Sequence, residues 1–85
     1  MLMHFHDGAS PSPAALQDLV GDFHGRVTLV DVDADRQPAL AAWYDVRSLP
    51  TVLVVRDGQV LDRVIGPAPR ALLQSLLAAR APRAA

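Results

Sequence analysis

Residues 49–66, Leu49-Pro50-Thr51-Val52-Leu53-Val54-Val55-Arg56-Asp57-Gly58-Gln59-Val60-Leu61-Asp62-Arg63-Val64-Ile65-Gly66, decide the fold. A proline opens an apolar run, Asp57-Gly58 interrupts it, and Gly66 closes it. Asp-Gly between two such runs signals a two-residue type I′ hairpin, because both central residues must tolerate positive φ. The expected pair is a strand over Thr51 to Val55 and a returning strand over residues 59–65.

Working outward, Val27-Thr28-Leu29-Val30-Asp31-Val32 is rich in β-branched residues and almost continuously apolar. That is the pattern of a parallel strand covered on both faces, with Asp31 as a solvent-facing charge that discourages unwanted edge pairing. Residues 1–6 read as a short strand ended by the Asp7-Gly8 turn signal. Between these strands, Ser12 can cap and Pro13 can begin a helix, since the missing proline N–H would find no partner there anyway. Leu16, Leu19, Val20 and Phe23 then lie at i, i+3, i+4 and i+7, and Gly25 ends the helix. Asp33-Ala34-Asp35 closes the second strand and supplies the cap for a short helix over 37–44 that buries Leu40, Trp43 and Tyr44. Pro69 starts a final helix with Leu72, Leu73, Leu76 and Leu77 on one face, and residues 81–85 form a frayed tail. The resulting order is β-α-β-α-β-β-α: an α/β fold with a four-stranded mixed sheet and helices on both faces. Its βαβ crossover should be right-handed.

At 85 residues the chain is one domain, read as residues 1–80, and such a length buries roughly 60–65% of the unfolded surface. Hydrophobic residues make up 51% and charged residues 20%, the composition of an ordinary globular protein. A net charge of −1 with interspersed signs offers no field for nucleic acid or an anionic membrane. The opening MLMHFHDGAS lacks the basic and long apolar regions of a signal peptide, and no apolar run approaches the ~20 residues of a membrane span. With no cysteine, the expectation is a cytoplasmic protein.

Several segments in order carry a family resemblance. They are Asp33 to Pro38 after the second strand, Tyr44-Asp45-Val46-Arg47-Ser48-Leu49-Pro50-Thr51, Arg56-Asp57-Gly58, and Ile65-Gly66. The second resembles the Tyr-Gly-Ile-Arg-Gly-Ile-Pro-Thr segment of thioredoxins, and the whole resembles a minimal thioredoxin-like domain of the short thioredoxin or glutaredoxin type. The resemblance implies a cis peptide bond before Pro50, facing a substrate groove in which the preceding backbone hydrogen-bonds an extended peptide. It also places the Cys-x-x-Cys motif on Ser10-Pro11-Ser12-Pro13, the tryptophan before it on Ala9, and the buried acid below it on His4. Thiol–disulfide exchange requires a thiolate, which serine and proline cannot supply. The motif is degenerate, and no catalytic residue is assigned.

The function implied is a redox-inactive thioredoxin-like protein that binds a protein or peptide partner, as adaptor or assembly chaperone. Its groove would comprise Ala9, Ser10, Ser48, Leu49, Pro50, Thr51 and Gly66, with Arg47 as a partner-reading charge. The alternative is an oxidoreductase or glutathione-transferase-like enzyme using Ser10 in place of the cysteine. A third reading is self-association through the edge strand of Val27 to Val32. Ser10 and Ser12 read more simply as turn and cap residues. His4 and His6 share one face of the first strand because the side-chain period is two, and with Asp31 or Asp33 they would make three metal donors. The spacing is common by chance and no cysteine or helical histidine motif accompanies it, so no metal and no cofactor are assigned. Asp31, Asp33 and Asp35 lack the spacing of a calcium loop.

Overall fold

The computed structural model describes residues 1–8 and 14–80. Its elements are β1 (Leu2–His6), α1 (Ala14–Gly21), β2 (Leu29–Asp33), α2 (Pro38–Trp43), β3 (Thr51–Arg56), β4 (Gln59–Ile65) and α3 (Arg70–Arg80). The strand order is β2-β1-β3-β4. β1 pairs in parallel with β2 and antiparallel with β3, and β3 pairs antiparallel with β4, with a register shift at Val54/Val55. This is the mixed α/β sheet expected from the sequence. Asp57 and Gly58 have φ of 52° and 79°, so both central hairpin residues take the left-handed conformation that the turn requires.

Alternation along the strands divides the core into two layers. On one face Leu2, Val52 and Val54 pack against Leu16 and Leu19 of α1 and Leu73 and Leu77 of α3. On the other, Met3, Phe5, Val32, Leu53 and Val55 pack beneath Ala41 of α2 with Leu40, Tyr44 and Val46. Helices thus cover both faces.

Four local readings are corrected. The apolar stripe through Phe23 does not keep the chain helical: α1 ends at Gly21, and i→i−3 bonds from the Phe23 amide to Val20 (3.0 Å) and the His24 amide to Gly21 (3.1 Å) tighten the chain into turns. His24 and Gly25 then take positive φ, yet Phe23 stays buried. The strand expected over 27–32 spans Leu29–Asp33 as β2 and is less covered than a strand buried on both faces, with Leu29 and Val30 half-buried, while its place at the sheet edge and the exposed Asp31 agree with expectation. Trp43 is 81% exposed rather than in the core. In this short helix Ala41 faces the sheet, and two residues on, roughly 200° around the axis, the side chain points to solvent. Finally, neither Asp33 nor Asp35 caps α2. The N-cap is Gln37 without a side-chain bond, while the Asp33 carboxylate accepts the Asp35 amide (3.0 Å) and the Arg36 amide (3.3 Å) in the turn before it.

Candidate functional site

The loop from α2 to β3 is anchored at several points. Asp45 has φ of 55°, its amide donates to the Ala42 carbonyl, and the Val46 amide donates to the Ala41 carbonyl. These two bonds make a Schellman closure of α2. Arg63 of β4 donates to the carbonyls of Tyr44 and Asp45, fastening the helix end to the sheet edge. Further on, the Thr51 hydroxyl donates to the Ser48 carbonyl at 2.7 Å, and the Gly66 amide donates to the Pro50 carbonyl at 2.8 Å. The turn containing the Leu49–Pro50 bond, which is cis, is therefore held from both flanks.

That turn borders an open cavity of about 240 Å³ lined by His4, Leu16, Pro50, Val52, Gly66–Ala68 and Leu73. Its walls are mainly apolar. Leu49 is 38% exposed at the turn and Ile65 is 65% exposed on β4, which ends at Gly66. Among the described residues no hydrogen bond engages the Leu49 amide or carbonyl. A backbone donor and acceptor beside an apolar recess is an arrangement that an extended chain can complete by strand-like pairing.

Beneath the cavity lies a polar cluster. The parallel register sets His4 opposite Asp31, and His6 one repeat along the same face. His4 and His6 are 7% and 5% exposed, and their rings stack with centroids 5.6 Å apart. Both approach one Asp31 carboxylate oxygen, Nε2 of His6 at 3.1 Å and Nδ1 of His4 at 3.4 Å. The Gly8 amide donates to Nδ1 of His6 at 2.9 Å. With Nδ1 accepting, the His6 proton is assigned to Nε2, facing the carboxylate. Two buried imidazoles thus share one carboxylate oxygen of the exposed Asp31. Among the described residues no group of three His, Cys, Asp or Glu side chains is placed to hold a metal ion.

Of the residues singled out in the sequence, Pro50 and Gly66 line the recess, and Ser48 and Leu49 lead into it through the turn. Thr51 does not offer its side chain: it is 1% exposed and acts as a brace under the turn. Arg47 is exposed and bonds Asp45 through Nε at 2.8 Å. Ala9, Ser10, Pro11, Ser12 and Pro13 lie outside the described residues. Leu16, Val52 and Leu73 join the cavity lining without any individual sequence signal. Their helical and strand periodicity marks them as apolar and inward-facing, and only the packing leaves a recess between them.

The thioredoxin family model matches residues 12–79. Thioredoxins of Staphylococcus epidermidis and Staphylococcus aureus are each 39% identical over 62 residues, which is 73% of this chain and 60% of theirs. The chain thus spans 60% of the length of these curated relatives. Among solved structures, the germline-specific thioredoxin Deadhead of Drosophila melanogaster superposes with a TM-score of 0.79 at 21% identity, over 93% of this chain and 78% of its own. A mutant thioredoxin of Halobacterium salinarum gives 0.75 at 23% identity, over 99% of this chain and 76% of its own.

Proposed function

The chain belongs to the thioredoxin family, and from that premise we propose that it binds an extended peptide segment of a protein partner in the cleft beside the Leu49–Pro50 bond, without exchanging disulfides. The chain has no cysteine, so it can form neither the attacking thiolate nor the mixed disulfide of the exchange reaction. What supports binding is one observation: among the described residues no hydrogen bond engages the Leu49 backbone donor and acceptor, which adjoin the proline lining an apolar recess. An incoming strand would satisfy both groups, and apolar side chains at alternate positions would reach Leu49, Ile65 and the recess. Such a segment suits an adaptor or an assembly chaperone, which recognises incompletely folded chain by its backbone.

The test is a fluorescence-polarisation titration with labelled apolar peptides, after selection of a binder from a peptide library. Leu49→Asp sets a carboxylate at the rim and should weaken binding about tenfold or more. Pro50→Ala should also weaken it. Identical affinities for wild type and both variants would discard the cleft. Insulin-reduction and glutathione-conjugation assays run beside it address the enzymatic reading: turnover that disappears in Ser10→Ala would replace a binding role with a catalytic one.

A further inference from the structure

A second recess lies at the other end of the sheet. β3 runs from Thr51, beside the proline turn, to Arg56, about 17 Å away at strand rise. There a cavity of about 410 Å³ opens between the loop before β2, the β3–β4 hairpin and the C-terminal end of α3. Its lining has two kinds of surface. Val54, Leu61 and Leu77 supply an apolar floor, and Arg26, Arg56 and Arg80 reach it from three separate elements. In a chain whose net charge is −1, three guanidiniums around one recess are a local reversal of sign.

The arginines differ in how they are held. Arg26 is positioned by its own loop: Nε donates to the Phe23 carbonyl at 3.0 Å, and the guanidinium lies 5.9 Å from the Phe23 ring centroid. Arg80 bonds Asp62 through Nε at 3.1 Å. Arg56 comes only within 4.0 Å of Asp57, whose side chain is 94% exposed. Among the described residues Arg56 and Arg80 each meet one carboxylate, and a guanidinium carries five donors, more than a single contact uses. Planar donors above an apolar floor match an anionic group of two or three oxygens attached to a hydrocarbon body.

We propose that this cavity binds a small amphiphilic anion, a carboxylate or phosphate monoester bearing a short aliphatic or aryl body. The head lies on the arginine rim and the body on Val54, Leu61 and Leu77. No covalent step is involved. This site is independent of the cleft at Leu49, and its failure would leave that reading intact.

The experiment is a titration of isotope-labelled full-length protein, following backbone amides by NMR, with hexanoate, phenyl phosphate, inorganic phosphate and hexylammonium. Hexanoate, phenyl phosphate or both should shift the amides of Arg56, Gly58 and Leu77 saturably. Inorganic phosphate should bind more weakly than phenyl phosphate, and hexylammonium should leave these amides unmoved. Arg56→Gln removes the guanidinium with the weakest internal pairing and should cost about tenfold in affinity. Asp57→Asn removes a competing carboxylate and should tighten binding. Unchanged thermal midpoints in both variants would assign these effects to the site rather than to folding. Absence of saturable shifts with both organic anions, equal binding of hexylammonium, or an Arg56→Gln affinity equal to wild type would overturn the proposal. A preference between carboxylate and phosphate tells which head group the rim fits.

Discussion

Asp45 occupies a backbone conformation that favours glycine. Its φ of 55° closes α2, and the family segment that it resembles carries glycine there. A side chain in the left-handed region costs energy that glycine avoids. Asp45→Gly should therefore stabilise the fold by about 0.5–1 kcal/mol, read as a higher urea midpoint at unchanged slope. Loss of the exposed Arg47 contact should subtract little. Gly8 is the converse case. It has φ of +86°, and a Cβ there would stand 2.7 Å from Oδ2 of Asp33. That carboxylate is held by the Asp35 and Arg36 amides, so Gly8→Ala should destabilise by about 1–2 kcal/mol in the same measurement. His6→Leu would strip the Gly8 amide of its acceptor and Asp31 of a donor; a loss of about 1–3 kcal/mol is expected. That His4 and His6 share a face follows from their spacing. That Asp31 joins them does not, because it depends on which residue of β2 the parallel register sets opposite His4.

Among the elements, the hairpin was the most legible, because Asp57-Gly58 restricts the turn locally and apolar runs flank it on both sides. The helices were legible in type and less so in extent. α3 shows its apolar face clearly, yet of its four leucines Leu73 and Leu77 are fully buried while Leu72 is 43% exposed. Leu77 packs against α1 and the sheet at 1% exposure. Leu77→Ala should cost about 2–4 kcal/mol through lost burial and the cavity left behind, whereas Leu72→Ala should change stability far less. Urea denaturation of the two variants distinguishes them. Equal losses would mean that α3 is rotated from the face described. The exposure of Trp43 is not legible in α2, because six residues define a helical face too poorly for periodicity to resolve which side is buried.

For the molecule as a whole, the single tryptophan reports on that same correction. Being 81% exposed, Trp43 should emit in the native protein much as it does in urea, and Trp43→Ser should shift stability by no more than about 0.5 kcal/mol. A blue-shifted native emission or a large loss would place the ring in a core. The two recesses also belong to this scale. One lies where the proline turn meets α1 and α3, the other where the hairpin meets the end of α3. Each gathers residues from elements distant in the chain.

The order of strands and helices, the hairpin, the proline turn and the absence of a thiol were determined by the sequence itself. These are local properties, set by side-chain period, turn chemistry and residue type. The tertiary structure alone decided which residues meet: two histidines on one carboxylate, a proline turn beside an apolar recess, three arginines around another. Such meetings depend on strand register and helix rotation, which balance the packing of the entire core and are written in no single stretch of the chain.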